Sequence, residues 1–366
     1  MVFFIKFDEE TIEMKNKSLF IFTIFQFILL QLCIAQGNKP TEITYFNTVP
    51  KTQIRALEVL NDSVVWFAAY YGIWGYTENG GKTWHIDSIK NKNSELNFRS
   101  MAVLNDSTVL MMSIASPAYI YKTSNKGKHW NIVYENKDSL AFLDCIKFLN
   151  NKIGYALGDP IGNDFTLLKT EDGGNTWSKL DSKNLPTLDP SEAFFATSNT
   201  NMEVFNNEIY IASGGKKSRL WVYDTKNNKA YYKKTPLPSG EQMTGIFSMD
   251  FYSKKLGVIG GGHYDQKDKY YTSLAITEDA GDSWKSLSFN KPMFSSCVQF
   301  LNADELISTG HSGTVIINIK NIEYKYITNK ENQELYFHCL KISPSKKYLW
   351  LAGRNGKVAC IKTSEL

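Results

Sequence analysis

Four segments of this sequence share one eight-residue pattern, and their spacing constrains the fold more than any other feature. The segments are TENGGKTW at 77–84, TSNKGKHW at 123–130, TEDGGNTW at 170–177 and TEDAGDSW at 277–284. Each has Thr first, Asp or Asn third, Gly fifth and Trp last. The tryptophans are 46, 47 and 107 residues apart, and the last interval is close to two units. A fixed period of this length indicates a repeat array or a propeller.

Short apolar runs recur in step with that pattern. Each unit opens with an apolar strand that ends in a polar turn, as in IRALEVLNDS at 54–63 and FRSMAVLNDS at 98–107. A second and a third strand follow, and then the turn whose Trp opens a fourth strand. A degenerate copy of the opening strand, AFFATSNTNMEVFNN, lies at 193–207. Seven such units predict an all-β fold, a seven-bladed β-propeller of four-stranded blades.

The blade boundaries follow from this alignment of units. They are expected at 54–97, 98–141, 142–192, 193–244, 245–293, 294–334 and 335–362. The seventh unit lacks a fourth strand, and residues 42–49, EITYFNTV, are predicted to supply it and close the ring. Closure protects a sheet edge that would otherwise stay open. Residues 36–366 are therefore predicted to form a single propeller domain.

The Trp-containing turn resembles the Asp box of bacterial neuraminidase-repeat (BNR) propellers. With stretches such as GYALGDPIGNDFTLLKTEDGGNTW and DPSEAFFATSNTN, the chain is similar to photosystem II stability/assembly factor-like propellers, and most similar to exported members from non-photosynthetic bacteria. This resemblance implies that the protein helps other proteins to assemble or mature. Some members of that group are labelled oxidoreductases, but the residues offer no chemical basis for redox activity.

The amino-terminal residues 1–35 are predicted to be a signal peptide. Residues 18–35, SLFIFTIFQFILLQLCIA, are almost purely apolar and follow a short region with two lysines, which is typical of export signals. Translation from Met14 would give a better signal opening than translation from the first residue. Small residues predict cleavage before Gln36, and the alternatives are lipidation of Cys33 or a retained membrane anchor. We expect an exported protein that is periplasmic, on the outer surface or secreted.

The Asp-box turns are predicted to be structural. Their Asn or Asp accepts hydrogen bonds from turn amides, their Gly adopts a positive φ, and their Trp is buried between blades. The residues with these roles are Asn79, Gly81 and Trp84; Asn125, Gly127 and Trp130; Asp172, Gly174 and Trp177; and Asp279, Gly281 and Trp284. Because all these turns lie on one face of a propeller, a binding site is expected on the opposite face.

Residues on that opposite face are predicted to surround the mouth of the central channel. They come from the starts of the innermost strands and from the loops after the second strands. They are Arg55, Arg99, Asp144, Asp159, Glu192, His263, Asp265, His311, His338 and Arg354. Three of the four arginines of the chain are among them, and arginine suits the recognition of carboxylate or phosphate. The alternative interpretation is that converging inner strands need polar residues around a water-filled channel.

Enzyme signatures are scarce. A sialidase would need an arginine cluster, which three of the mouth arginines could form, and a tyrosine nucleophile paired with glutamate. Tyr70, Tyr71 or Tyr264 with Glu192 could supply that pair, but the Arg-Ile-Pro segment expected near the start of sialidases is absent. The dinucleotide fingerprint, the nucleophile elbow and the Cys-x-x-Cys motif are also absent. No catalytic residues are therefore assigned.

The remaining expectations concern ligands and partners. His263, His311, His338 and Asp265 are a candidate metal set by residue type, but hydrogen bonding in loops is the simpler interpretation, so no metal or cofactor is predicted. The net charge of +4 is spread along the chain, which does not favour nucleic-acid binding. We expect a monomeric, non-catalytic protein that binds a protein partner. A glycan-binding or sialidase-like propeller is the alternative.

Overall fold

The computed structural model describes residues 41–92, 94–181 and 185–366. The predicted signal peptide lies outside these residues. A single 3-10 turn at Thr363–Glu365 is the only helix in the described part of the chain. No helix there is long and apolar enough to cross a membrane.

Thirty strands in the described residues form the seven antiparallel blades that the repeats predict. Blade 1 consists of β2 (Ile54–Val59), β3 (Val65–Ala69), β4 (Ile73–Thr77) and β5 (His85–Ser88). Blade 2 consists of β6 (Phe98–Val103), β7 (Val109–Ser113), β8 (Ala118–Thr123) and β9 (Asn131–Asn136). Blade 3 consists of β10 (Leu143–Phe148), β11 (Gly154–Ile161), β12 (Asp164–Thr170) and β13 (Ser178–Lys179).

The remaining four blades complete the ring. Blade 4 consists of β15 (Met202–Val204), β16 (Glu208–Ala212), β18 (Arg219–Asp224) and β19 (Lys229–Lys234). Blade 5 consists of β20 (Thr244–Phe251), β21 (Gly257–His263), β22 (Leu274–Thr277) and β23 (Lys285–Ser286), and the short strands β14 (Glu192–Ala193) and β17 (Gly214–Gly215) extend its inner edge. Blade 6 consists of β24 (Cys297–Phe300), β25 (Glu305–Gly310), β26 (Gly313–Asn318) and β27 (Glu323–Tyr326). Blade 7 consists of β28 (Cys339–Ile342), β29 (Tyr348–Ala352), β30 (Lys357–Lys362) and β1 (Ile43–Asn47).

The apolar residues of each blade pack against both neighbouring blades. Every residue of β3, β7 and β8 is buried, whereas the outermost strands β5 and β9 are largely exposed. Seven buried apolar clusters lie one at each interface between adjacent blades. Because burial is the main favourable term in folding, stability is distributed around the whole ring.

Strand β1 closes the ring by joining the two ends of the described chain. It pairs antiparallel with β30, with Ile43 opposite Ile361 and Thr44 opposite Cys360. Phe46 of β1 stacks on Trp350 of β29 with ring centroids 5.6 Å apart and lies 5.9 Å from the ring of Trp84 in blade 1. The closing strand therefore fills the interface between blades 7 and 1 as well as the edge of blade 7.

The Asp-box turns are held by their own polar side chains. In blade 3, Thr170 Oγ1 accepts the N–H of Gly174 at 2.9 Å, and Asp172 Oδ1 accepts the N–H of Thr176 at 3.0 Å. Equivalent pairs of bonds recur in blades 1, 2 and 5. Hydrogen bonds led by that of the Thr176 amide lower the pKa of Asp172 to about 2, because they favour the charged carboxylate.

The tryptophans of these turns are partly exposed, which corrects the expectation that they are buried between blades. They are Trp84, Trp130, Trp177 and Trp284. Each one immediately precedes the outer strand of its blade and packs against the apolar cluster between two blades, with part of the indole exposed to solvent. Trp130, for example, packs edge-on against Trp74 of the preceding blade with ring centroids 5.3 Å apart.

Blade 4 departs from the predicted pattern at its inner edge. The opening strand predicted within residues 193–207 is present but short, because only Met202–Val204 pairs with β16. Residues 196–201 form no strand. We call this segment, Ala-Thr-Ser-Asn-Thr-Asn, the plug.

The plug is bonded to the inner strands of blades 1, 2 and 3 through one side chain, that of Asn199. Its Oδ1 accepts hydrogen bonds from the hydroxyl of Ser100 and from the backbone N–H of Ile146. Its Nδ2 donates to the carbonyl of Met101 at 2.7 Å and to Glu58 at 3.2 Å. One amide side chain therefore joins three blades of the ring.

The rest of the plug is bonded to blades 5 and 6. The hydroxyl of Ser198 donates to the carbonyl of Ser296 at 2.8 Å, and Thr200 donates to the hydroxyl of Ser248 at 2.7 Å. Because the inner strands surround the axis, a segment bonded to five of the blades lies across the central channel. The predicted channel is therefore crossed by the plug and is not open from end to end.

Candidate functional site

Three arginines lie on the mouth face, which we define as the end of the propeller where the inner strands begin. Arg55 and Arg99 are the second residues of β2 and β6, and Arg354 is in the turn after β29. Arg99 donates to the hydroxyl of Tyr70 and lies over its ring, 5.2 Å from the centroid. Arg354 lies 3.2 Å from a ring nitrogen of His311. Among the described residues, none of the three arginines has a carboxylate within ion-pair distance.

Burial, and then the positive charge of the mouth face, lower the pKa of two histidines. The pKa of His311 is lowered to about 4 by burial and then by repulsion from Lys267 and Arg354. The pKa of His338 is lowered to about 2 by burial and then by repulsion from Arg55 and Arg354. Both imidazoles are therefore uncharged at neutral pH, and the arginines supply the charge of this region.

Two predicted aspartates approach the arginines from blade 3. Asp144 is 0% exposed, and burial raises its pKa well above the usual value; repulsion from Asp159 adds to this shift and Arg99 opposes it. Asp159 accepts the backbone N–H of Phe194 at 2.8 Å, and burial raises its pKa to about 6. As the pH falls, both carboxyl groups therefore bind a proton at a higher pH than an exposed aspartate does. Once protonated, they no longer neutralise the positive charge of the arginines.

Glu192 is engaged in a buried network and does not offer its carboxylate to the mouth. Its side chain is 0% exposed and accepts hydrogen bonds from the hydroxyl of Ser213 at 2.5 Å and from the indole of Trp221 at 2.8 Å. Arg219, the fourth arginine, forms an ion pair with Asp189 and lies 3.6 Å from Glu192. A glutamate held in this way cannot pair with a tyrosine nucleophile, so the geometry does not support the sialidase alternative.

The histidines and aspartate considered as a metal set are divided between two places. His263 is buried and bonds to Glu241 at 3.1 Å, whereas Asp265 is in an exposed turn. His311 and His338 are near each other, with ring centroids 6.3 Å apart. Within residues 41–92, 94–181 and 185–366, no three His, Cys, Asp or Glu side chains come together in a group that could hold a metal ion.

A pocket of about 520 Å³ opens on the mouth face and brings together three of the predicted residues, Arg55, Arg99 and Asp159. Its other side is aromatic, a feature that the sequence analysis missed. Phe195 and Phe247 line it and are stacked with ring centroids 4.0 Å apart. Both belong to apolar runs typical of core strands, so nothing in the sequence indicates that their rings border a cavity.

Known proteins are similar to this chain in fold. No protein-family model matches the chain, and no curated protein matches it. A structure of YCF48 bound to a D1 peptide is similar with a TM-score of 0.65 and 13% identity, covering 88% of this chain and 99% of that chain. A structure of U3-55K is similar with a TM-score of 0.61 and 14% identity, covering 88% of this chain and 100% of that chain. A GH74 enzyme from Niastella koreensis is similar with a TM-score of 0.56 and 13% identity, covering 73% of this chain and 45% of that chain.

These similarities concern the fold. The chain is similar in fold to a protein bound to a peptide and to part of a GH74 enzyme, so the fold alone does not select a function. The resemblance to assembly-factor propellers is supported at this level, because YCF48 and this chain have the same architecture over most of their lengths.

Proposed function

We propose that this protein is an exported, non-catalytic propeller that binds a protein partner through its mouth face and places an acidic group of that partner at Arg55 and Arg99. The contrast between the arginines of the chain supports this proposal. Arg219 is neutralised by Asp189, whereas the three mouth arginines converge without a carboxylate partner among the described residues. Like charges held together repel each other, so an anionic group of a partner would be attracted to them.

The comparisons support the same kind of function. YCF48 has been solved with a bound D1 peptide on a propeller that matches 88% of this chain. In our proposal this chain likewise presents a propeller face to a protein segment, as an assembly or maturation factor or a scaffold.

Photo-crosslinking can determine which face meets the partner. A photoreactive residue is introduced at Tyr71 on the mouth face or at Tyr252 on the Asp-box face, because these side chains are 55% and 50% exposed. In the native host, position 71 is expected to give a crosslinked protein that position 252 does not give. Equal crosslinking from both positions would contradict the proposal.

A charge-removing variant tests the role of the arginines in the same experiment. Arg55→Ala/Arg99→Ala should abolish the crosslink from position 71. The matched control is Lys82→Ala/Lys128→Ala, which removes the same charge from two exposed positions in Asp-box turns. If the control variant loses the crosslink as fully as the arginine variant does, the binding depends on overall charge and not on this site.

Export is part of the proposal and has its own test. The apolar segment at 18–35 after two lysines supports it. Amino-terminal sequencing of the protein from its native host is expected to give a chain that begins at Gln36. A chain that retains Met14 in the cytoplasmic fraction would contradict export by a cleaved signal peptide.

A further inference from the structure

The plug turns the mouth pocket into a closed-ended cavity. Ala196 and Thr197, the first two residues of the plug, line the pocket. Arg99 also lines it, and the next residue along β6, Ser100, donates to Asn199 of the plug. The hydrogen bonds across the axis therefore begin directly beneath the arginines. A ligand must enter and leave through the same opening, and a polypeptide cannot thread through the ring.

One side of this cavity is suited to an apolar group. Phe142, Phe195 and Tyr264 line it and are only partly buried, so their rings present apolar surface to the space between them. Phe247 supports them, stacking on Phe195 and lying 6.4 Å from the ring centroid of Tyr264. Its volume of about 520 Å³ is within the range of small-ligand sites.

The other side of the cavity is suited to a carboxylate. The Nε atoms of Arg55 and Arg99 are buried and have no hydrogen-bond partner among the described residues. On the blade 3 side, Asp159 already accepts the backbone N–H of Phe194. An anion in the cavity is therefore attracted towards the arginines and repelled from Asp159, which fixes the orientation of a ligand with one charged and one apolar end.

Two residues at the rim of the cavity have left-handed backbone conformations. Ser191 and Met243 both line the cavity, and their φ angles are +65° and +58°. Left-handed conformations cost energy for residues other than glycine, and they also occur in turns elsewhere in the described chain, as at Lys126 and Ala280 of the Asp boxes. These two residues thus hold the rim in a shape that local preference alone does not favour.

We propose that the mouth pocket binds a carboxylate that is joined through one or a few bonds to an aromatic or branched apolar group. This chemistry has two sources, a small free acid or the carboxyl end of a polypeptide. The inference deepens the proposed function, because it uses the same arginines, but it concerns the ligand of the pocket and does not require a particular protein partner.

Isothermal titration calorimetry with three small probes tests the pocket chemistry without any mutation. The probes are 3-phenylpropionate, its uncharged amide, and propionate, which lacks the ring. We expect 3-phenylpropionate to bind at least about tenfold more tightly than either of the others. Equal affinity for the acid and the amide, or no heat with 3-phenylpropionate up to about 10 mM, would overturn the inference.

Variants place the binding in this pocket. Arg55→Lys/Arg99→Lys keeps the charge but loses the bidentate geometry, and it should weaken the binding of 3-phenylpropionate by about tenfold. Lys82→Arg/Lys128→Arg is the matched control, because it makes the reverse exchange at two exposed Asp-box positions that do not line the pocket, and its affinity should stay within about threefold of wild type. Circular dichroism melting of each variant confirms that it is folded. The reverse order of effects would overturn the assignment to this pocket.

Peptides distinguish the two sources of the ligand. A hexapeptide ending in Phe with a free carboxylate is compared with the same peptide amidated, and with 3-phenylpropionate. Tighter binding of the free-carboxylate peptide than of 3-phenylpropionate identifies a chain end, and the opposite order identifies a free acid; both outcomes support the inference. If a partner is crosslinked from position 71 but none of these carboxylates binds, the inference fails and the proposed function stands.

Discussion

The Asp-box glycines combine a turn requirement with a packing requirement. Gly127 has a φ of +80°, and a Cβ at this position would overlap the ring of Trp74 in blade 1. Gly174 has a φ of +81°, and a Cβ there would overlap Leu110 in blade 2. The backbone of each turn therefore touches the preceding blade directly, so the residue that permits the turn also brings two blades together.

Replacing Gly127 tests this double constraint. We expect Gly127→Ala to lower the free energy of unfolding by about 3 kcal/mol, because left-handed strain and overlap with Trp74 act together. Gly162→Ala is the control, since Gly162 has a φ of +68° but nothing lies within 4 Å of its added Cβ. Strain alone should cost this control about 1 kcal/mol. Urea unfolding measures both, and equal losses would mean that the contact with blade 1 does not matter.

His311 gives a prediction for the dependence of stability on pH. Its pKa in the folded protein, about 4, is below its ordinary value, so the unfolded chain binds a proton first as the pH falls. Its contribution to stability is therefore complete above about pH 6.5 and is lost progressively towards pH 4. Replacing it by glutamine should make the urea midpoint fall less between pH 7 and pH 5 than it does in wild type. A steeper fall in the variant would contradict the cause assigned to the shift.

At the scale of elements, the plug precedes the shortened inner strand of blade 4, β15, and takes the place of its first residues. Its three central side chains, Ser198, Asn199 and Thr200, bond to blades 1, 2, 3, 5 and 6. Asn199 has a φ of +61°, a conformation that asparagine tolerates better than most residues. The irregular segment is thus an organising element of the ring, because most of its bonds are to strands far away in the sequence.

Asn199 is expected to contribute far more to the free energy of unfolding than Asn201, which lies two residues further along the plug. Asn199→Ala removes bonds to three blades and leaves buried polar partners unsatisfied, so it should lower the free energy of unfolding by about 3 kcal/mol or more. Asn201 is also fully buried, but its amide has no partner among the described residues, and Asn201→Ala should cost about 1 kcal/mol or less. Urea unfolding of the two variants is the comparison, and similar losses would argue against the plug as an interblade link.

Regular elements were easier to predict than the plug for a physical reason. The opening strand predicted at 54–63 contains β2, Ile54–Val59, because its buried apolar residues and the polar turn after it leave a local pattern in the sequence. The plug sequence Ser-Asn-Thr-Asn resembles an ordinary turn, and the bonds that define it come from residues about 50 to 140 positions away. The same limit applies to the pocket. The sequence indicates the arginines through their place at strand starts, but the position of Phe195 beside them depends on the path of the plug.

At the scale of the whole molecule, closure by β1 links the folding of the first blade to that of the last blade. All seven interfaces between blades are apolar. Six of them join blades that follow each other in the sequence, whereas the interface between blades 7 and 1 joins the last blade to the first. The pairing of Ile43 with Ile361 links positions at opposite ends of the described sequence. Contacts of such long sequence separation form late and slow the folding of a domain.

Removing the closing strand should destabilise the ring as a whole. Compared with a chain that begins at Thr41, a chain that begins at Thr52 loses β1 and the packing of Phe46 on Trp350. We expect its free energy of unfolding to be lower by about 5 kcal/mol, and the amides of Lys357–Lys362 to exchange faster because β30 becomes an open edge. Urea unfolding and hydrogen exchange measure these effects. Unchanged protection of β30 would show that closure does not depend on β1.

The closed ring also means that the architecture does not fix the blade in which the chain starts and ends. The backbone N–H of Glu42 donates to the carboxylate of Glu365 at 3.0 Å, so the two ends of the described propeller are adjacent in space. A short Gly-Ser linker from Leu366 to Thr41 would join them, and the turn at Gly162, where an added Cβ meets nothing, offers a place for new ends. Such a circularly permuted chain would turn the closing strand into an internal one, and its blade 3 would then be the blade assembled from both ends.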